Sequence, residues 1–474
     1  MNVNLIFWCV NSTWVILALG LAFFFPTFAS ATTPPKTQNS SSYSQVPEYL
    51  HPNPNPLQFP TKPEEVKVQQ TVPISLTQAL ELARRNNRDL QIAILELERS
   101  RSAVRESQAV LFPTVGINGN LTNSGNGFRS NSSQASTSFN GSAQLNYDLY
   151  TSGNRQATIR AAEEQLRLDE LNVESTSLEI QLNVTTEYYD LQQADEQVRI
   201  NQSAVNNAEA SLRDTQAREN AGVGTGFDVL QAQVNLANFQ QELTNAISQQ
   251  QIARRQLATV LSLAQSVNIT ALDPVQIAGL WQPTLEETII QAFQNRPELQ
   301  QQLAQRNIYE QQRRQALSQL GPQLSLAGSY SLRDRFNDGV SSTDSYSVGL
   351  QASLNLFDGG AAKARAAQSK TNVAIAETQF ATQRDQIRFD VEQYYSQLQS
   401  NLNNVQTSSV ALNQATQALD LARLRFQAGV GTQTEVIAAE NDLTRAEGNR
   451  VTAILDYNRA LANLQRSVTS RVSR

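Results

Sequence analysis

The chain has 474 residues, a formal net charge of -6 and 40% hydrophobic residues, with a mean hydropathy of -0.39. One His, one Cys and one Met occur in all of it; if the apolar N-terminal segment that carries the Cys is removed, only a His in a Pro-rich stretch is left, and a Ser-His-Asp triad, a cysteine nucleophile and a Cys/His zinc site are out of reach. No metal or cofactor is expected, the acidic balance argues against a nucleic-acid partner, and only carboxylate chemistry stays open to an enzyme.

Residues 1–31 read as a secretory signal peptide. The run at 15–25 is apolar and Ala29-Ser30-Ala31 fits a cleavage site, although no Lys or Arg precedes Lys36. Cys9 stands too early to accept a lipid anchor. Removal of this segment leaves no Cys, hence no disulfide, and a single His51 inside His51-Pro52-Asn53-Pro54-Asn55-Pro56. Residues 32–73, rich in Pro, Ser and Asn, read as an extended or disordered tether. No later stretch approaches the ~20 apolar residues of a spanning helix.

From residue 74 onward the chain is a duplication. Ser75-Leu76-Thr77-Gln78 recurs as Thr284-Leu285-Glu286-Glu287 at an offset of 209, and both are capping boxes. Leu111-Phe112-Pro113 matches Leu320-Gly321-Pro322, and Tyr188-Tyr189 matches Tyr394-Tyr395. Ala221-Gly222-Val223-Gly224-Thr225 returns unchanged as Ala428-Gly429-Val430-Gly431-Thr432, at 207. The two copies span 74–270 and 284–474, with a linker at 271–283.

Each copy opens with a short helix, 75–86 or 284–295. It breaks at Asn87-Arg88 or Arg296-Pro297, and a second helix runs on to Leu111 or Leu320, where Pro113 or Pro322 stops it. The period then falls to two. In 345–357, Tyr346, Val348, Leu350, Ala352, Leu354 and Leu356 alternate with polar residues and glycine; the first copy has Phe139, Ala143, Leu145, Tyr147 and Leu149 on one face. These segments predict one two-stranded hairpin per copy, about 114–150 and 323–357, long enough for tilted strands to cross a bilayer.

Long helices follow at 155–220 and 362–427. Val184, Leu191, Val198, Val205 and Leu212 keep a seven-residue spacing, as do Val391, Leu398, Val405, Leu412, Leu419 and Phe426. That period implies a left-handed supercoil. Its partner positions are small or polar: Ala194, Asn201 and Ala208, then Asn401, Ser408 and Ala415. So narrow a stripe suits a thin wall wet on both sides. Each long helix spans about 100 Å, close to the summed length of the helix before the hairpin and the returning helix (227–263). The two shorter helices therefore stack end to end beside the long one. Two hairpins give only four strands, and a spanning sheet must close. Closed barrels need about eight strands or more, so an oligomer follows if the strands cross a membrane.

The duplicated unit resembles the TolC-like outer-membrane efflux proteins. The resemblance rests on Asn86-Asn87-Arg88-Asp89-Leu90 with Asn295-Arg296-Pro297-Glu298-Leu299, on Leu354-Asn355-Leu356-Phe357-Asp358-Gly359-Gly360, and on the Gly-Val-Gly-Thr turns followed by an acidic residue and Val. The first copy departs from the second motif, with Tyr147-Asp148-Leu149-Tyr150-Thr151-Ser152-Gly153. The chain also lacks the lipobox of the lipoprotein branch. The resemblance implies a mainly α fold with transmembrane β: an α-helical barrel, and a twelve-stranded outer-membrane β-barrel to which each chain of a homotrimer gives four strands. It implies a passive, non-enzymatic exit duct of a tripartite efflux or type I secretion system, set in outer-membrane lipid. A periplasmic adaptor and an inner-membrane ABC or proton-driven pump are its implied partners. The rival readings are a periplasmic adaptor and a structural coiled-coil envelope protein.

Two sets of residues are candidate sites. Gly222, Val223, Gly224, Thr225, Gly429, Val430, Gly431 and Thr432 form tip turns; the glycines permit a tight helical reversal, and the resemblance makes these turns the adaptor's docking surface. Asp228 and Glu435 are equivalent residues in the first turn of the returning helix. They either complement its dipole or ring a pore constriction. Arg218 and Arg425 either end helices in solvent or pair with those carboxylates, across the hairpin or between protomers, to hold a gate shut.

Overall fold

The computed structural model describes residue 57 and residues 59–68, 70–125, 136–264, 266–336 and 341–469. The signal segment, Cys9, His51, residues 32–56 of the tether and parts of both hairpin loops lie outside the described residues. The elements are α1 (Pro63–Val66), β1 (Gln70–Ile74), α2 (Leu76–Asn86), α3 (Arg88–Ala109), β2 (Thr114–Ser124), β3 (Ser136–Tyr150), α4 (Asn154–Asn220), α5 (Gly226–Val260), β4 (Val267–Ala271), α6 (Leu285–Asn295), α7 (Pro297–Ser318), β5 (Gln323–Phe336), β6 (Thr343–Ser353), α8 (Ala361–Gln427) and α9 (Gln433–Val468). No described helix is long and apolar enough to cross a membrane.

Local chemistry sets the helix boundaries. The Ser75 hydroxyl accepts the Gln78 N–H at 3.3 Å, and the Gln78 side chain accepts the Ser75 N–H at 3.0 Å. Thr284 and Glu287 repeat this pattern at 3.3 and 2.9 Å. Between α2 and α3, Asn87 has extended backbone, and its Oδ1 accepts from the N–H groups of Asp89 and Leu90. Arg296 stands at the same repeat position and cannot accept. Pro297 removes one orphan donor there instead, and the Arg296 guanidinium reaches Asp390 on α8 at 3.2 Å. Both pre-hairpin helices end two residues before the expected Leu111 and Leu320. Their last turns tighten, with the N–H of Phe112 on the Ala109 carbonyl and that of Gly321 on the Ser318 carbonyl.

The strands form one antiparallel sheet in the order β2-β3-β5-β6. Its register sorts side chains by face. Val115, Ile117 and Leu121 lie opposite Leu145, Ala143 and Phe139; Ala143 lies opposite Tyr330, and Tyr330 opposite Tyr346. The other face pairs Asn118 with Ser142, Ser142 with Ser331, and Ser331 with Ser345. Hydroxyl pairs cross it at Ser329–Ser347, 2.9 Å, and Ser331–Ser345, 2.8 Å. On the two edge strands, Ile117 and Tyr346 are each 83% exposed.

Two expectations about strand ends are corrected. A register shift between Asp148 and Tyr150 brings Tyr150, not Leu149, opposite Leu324, because a bulge inserts one residue and rephases the alternation. The last strand stops at Ser353, so Leu354 and Leu356 are outside it. The chain there turns into α8: Asp358 accepts from Gly360 N–H (2.9 Å) and Ala362 N–H (2.6 Å), with Gly359 and Gly360 at φ 71° and 91°. This explains the motif at 354–360 and its weaker copy. Ser152 takes the place of Gly359 at φ 53°, and its hydroxyl donates to the Pro322 carbonyl at 2.6 Å.

Helices α4 and α8 each have 67 residues, about 100 Å. Each carries two shorter helices along its length, α3 and α5 on α4, α7 and α9 on α8, while α7 and α9 also pack on α4. The seven-residue stripes are their seams: Val184, Leu191, Val205, Val391, Leu398, Leu419 and Phe426 are buried. Where short helices meet end to end, an asparagine joins them. The Asn87 side chain donates to the Val260 carbonyl closing α5 (3.0 Å), and Asn295 donates to the Val468 carbonyl closing α9 (2.8 Å).

A small equatorial element was not foreseen. The end of the expected tether is strand β1, which pairs in parallel with β4 over Gln70–Ile74 and Val267–Ala271. Tyr188, fully buried on α4, fastens it: its hydroxyl lies 2.8 Å from Asp273 Oδ2 and 3.0 Å from the Ile74 carbonyl. Asp273 also accepts from Leu76 N–H at 2.7 Å. Burial pushes the Tyr188 phenol well above its ordinary pKa. The expected linker is fastened too, because Asn458 on α9 accepts from Ala278 N–H and donates to the Gln276 carbonyl.

Tyr188→Phe removes the acceptor of the Asp273 N–H and one donor each from the Ile74 carbonyl and Asp273 Oδ2, at an expected cost of about 1–3 kcal/mol. Tyr394→Phe removes a hydroxyl with no hydrogen-bond partner among the described residues. Thermal melts followed by helical circular dichroism should show a clear fall in Tm for the first variant and a smaller one for the second.

Candidate functional site

At the end of the helices farthest from the sheet, each copy reverses through its Ala-Gly-Val-Gly-Thr turn. Gly222 and Gly429 have φ of 74° and 78°, a region that glycine enters without strain. The N–H groups of Val223 and Gly224 both reach the Arg218 carbonyl, at 3.0 and 3.1 Å, and those of Val430 and Gly431 reach the Arg425 carbonyl, both at 3.0 Å. The second glycine of each turn is needed for close approach. A Cβ on Gly224 would stand 3.1 Å from Arg218 Cβ, and one on Gly431 3.0 Å from Arg425 Cβ. This leaves Val223 and Val430 at the apices, 67% and 70% exposed.

Thr225 and Thr432 begin the returning helices, and here the copies diverge. Asp228 closes a full capping box: its N–H donates to Thr225 Oγ1, and its Oδ2 accepts from the Thr225 N–H at 3.2 Å and hydroxyl at 2.6 Å. Glu435 donates its N–H to Thr432 Oγ1 at 3.2 Å. Its carboxylate does not return to the cap and lies 3.7 Å from Arg425 Nε, with both side chains about half exposed.

The arginines diverge likewise. Arg425 stays in its own hairpin, near Glu435 and the Val430 carbonyl. Arg218 forms no ion pair with Asp228. It crosses to the second copy, donates to the Phe426 carbonyl at 3.0 Å, and sits 4.7 Å from the centre of the Phe426 ring. The last four carbonyls of a helix lack intrahelical donors; the Phe426 carbonyl accepts from Gly429 N–H at 3.0 Å as well as from Arg218, and Arg218 also reaches that of Gln427 at 3.5 Å.

A further set of tip residues escaped the sequence reading. Glu440, 2% exposed, lies beside the buried Val436 and Ala439 on α9. It meets Arg423 on α8 at 3.3 Å and Asn235 on α5 at 3.4 Å, and Arg423 also donates to Asn207 on α4 at 3.0 Å. Gln433, 1% exposed, donates to Ser211 on α4 at 2.8 Å. These bonds tie the two hairpins of one chain together. The available signal was a charge at a stripe position of α9. Tyr189 is buried and Tyr395 partly buried in the wall.

Burial outweighs the Arg423 guanidinium and holds the Glu440 carboxyl above its ordinary value of 4.5. Folding therefore favours the protonated form. The stability this form contributes is fully present below the ordinary value and is lost as pH rises through the raised one. Glu440→Gln imitates the protonated state. Its stability relative to the unsubstituted chain should improve as pH rises from about 5 to about 7.5; melts at both pH values test this, and a constant difference would count against it.

The tip and the sheet are held at opposite ends of one duplicated helical wall, and known proteins share this arrangement. The family described as outer membrane efflux protein matches residues 79–262 and 288–469. The pyoverdine export outer membrane protein OpmQ of Pseudomonas aeruginosa is 25% identical over 404 residues, 83% of each chain. The outer membrane protein TolC of Escherichia coli is 22% identical over 402 residues, 81% of this chain and 80% of that one. The crystal structure of the outer membrane protein VceC from Vibrio cholerae superposes with a TM-score of 0.70 at 19% identity, over 83% of this chain and 95% of that one. With both copies matched, the chain belongs to the outer membrane efflux protein family, and it is an outer-membrane efflux channel whose helical part lies in the periplasm.

Proposed function

We propose that three copies of the chain assemble into a passive exit duct, shut at its periplasmic tip and opened by a periplasmic adaptor coupled to an inner-membrane ABC or proton-driven pump. The observation that carries this reading is the sheet. It has one apolar and one polar face, and both edge strands, β2 and β6, lack an outer neighbour among the described residues. Three such sheets joined β6 to β2 make twelve strands, apolar outward and polar inward. One relative is named for pyoverdine export and another for cobalt-zinc-cadmium resistance, so no cargo is assigned.

The tip supplies the gate. Asp228 and Glu435 from three copies set six carboxylates around one constriction, which favours cations there. The turns bearing Val223 and Val430 offer exposed apices for the adaptor. Repeat symmetry extends the arginine contacts. Arg218 rests on Phe426 of its own chain; by the offset of 207, Arg425 then faces Glu219 of the neighbouring copy, since Glu219 holds the place of Phe426. Arg218 would join the two hairpins of one chain, and Arg425 would join adjacent chains.

Purified in detergent and placed in planar bilayers, the protein should give small, cation-selective channels and the mass of a trimer. Asp228→Ala with Glu435→Ala should reduce the cation preference; a monomer that never inserts would sink the duct and favour an adaptor or a coiled-coil envelope protein. Arg218→Ala with Arg425→Ala takes about 1.4 kcal/mol from the closed state and so raises the open fraction about tenfold. An unchanged single-channel record would remove the arginines from the gate.

A further inference from the structure

We propose that the outer end of the sheet's polar face is a polyanion-binding collar, built from Arg333 and Arg335 on β5. The inference rests on the trimeric duct, because the polar face becomes the lumen only when the sheets close. Register fixes both side chains on that face: Arg333 lies opposite Asn140 and Thr343, and Arg335 opposite Ser138. The Arg333 Nε donates to Asn140 Oδ1 at 2.9 Å. This holds the guanidinium against the wall, and its terminal amino groups have no hydrogen-bond partner among the described residues. Arg335 is exposed one strand pleat farther out, about 7 Å along β5.

The rest of this face makes the pair conspicuous. Apart from Asp148, at the end nearest the helices, every other described strand position on it is uncharged, mostly Ser, Thr, Asn or Gln. Asp334 and Asp344 share the outer end but fall on the apolar face, with Tyr330 donating to Asp344 at 3.4 Å. The wall therefore separates the signs, positive inside and negative outside. At physiological ionic strength, screening over about 8 Å lets the lumen sense mainly its own charges. The hairpin loops add one charge of each sign, Arg129 and Asp338.

Three copies set six guanidiniums around one aqueous mouth, and a narrow lumen concentrates their field. Planar guanidinium forks suit phosphate and sulfate groups, which they can bind bidentately. A single small anion gains little from arginines spread around a circumference, whereas a multivalent phosphate or sulfate engages several at once. The collar's ligands are therefore multivalent oxyanions, met from outside the cell. Its sign opposes that of the carboxylates at the tip, so the duct would favour cations at its entrance and bind polyanions at its exit.

The test uses the full-length protein as single channels in a planar bilayer, with inositol hexakisphosphate as the probe. Added to the side of the hairpin loops, the probe should reduce the current, and more weakly as salt is raised. Arg333→Gln with Arg335→Gln should weaken that block by about tenfold or more. Channels that conduct but ignore the probe, or whose block survives the double substitution, overturn the collar while leaving the duct intact. A protein that forms no channels overturns the duct reading itself. Calorimetric titration of the detergent-solubilised protein gives a second readout: the expected result is probe binding that the double substitution weakens, and binding equal in both proteins overturns the collar.

Discussion

A strand edge in hydrocarbon leaves amide and carbonyl groups without water, and each such group costs several kcal/mol. Two edges, β2 and β6, are what one chain presents, and the rest of the molecule is organised around them. The four described strands do not close on themselves, and in the proposed duct the apolar face is completed by other copies. That face is continuous through the register from Val115 to Tyr346, and the bulge at Asp148–Tyr150 keeps it so where β3 bends toward α4. The rigid Asp358-Gly359-Gly360 turn and its Ser152-Gly153 counterpart then pass the geometry of the sheet to the long helices.

Those helices face a second constraint, since a wall with water on both sides has almost no interior. The chain meets it with length. A single apolar stripe, repeated every seven residues over helices of 67 residues, accumulates contact that no short segment could provide. The returning helices stop partway, and their free carbonyl ends would be a weakness in so thin a structure. Asn87 and Asn295 close those ends with side-chain amides, while Asp273 and Tyr188 bind the β1–β4 pair across the same level. Polar composition, unhelpful to a globular core, is what a thin wall requires.

Periodicity made most of this architecture legible. The change from period two to period seven separates sheet from wall, and the recurrence of Ala-Gly-Val-Gly-Thr locates both tips. What escaped was short or depended on partners distant in sequence. β1 is five residues long, contains Pro73 and follows a proline-rich stretch, so its own signal is that of a tether; only β4, nearly two hundred residues away, makes it a strand. The bulge is invisible to an alternation count because it consists of one surplus residue. At the tip, the residue types foretold a charged cluster, but charge suggested carboxylates as partners for both arginines. Arg218 instead takes backbone carbonyls and an aromatic face, which have no signature in composition. Glu440 was readable from helical phase, as a carboxylate on a buried stripe, yet its partners Arg423, Asn235 and Asn207 come from three other helices.

Duplication explains why the two tips have ceased to match. Copy one meets copy two within the chain, whereas in the proposed trimer copy two would meet copy one of another chain, so equivalent positions would answer to different neighbours. The arginines and the glycine turns stay the same because each hairpin must reverse in the same way. The surfaces they touch are free to differ, and position 426 is Phe where 219 is Glu. An arginine over an aromatic ring makes a contact that changing pH or salt hardly alters, suited to a junction inside one chain. An arginine facing an exposed carboxylate makes a weak, screened and reversible one. In the proposed duct the junction between chains is the one that would yield on opening, and the arginine proposed for it would make the weaker interaction.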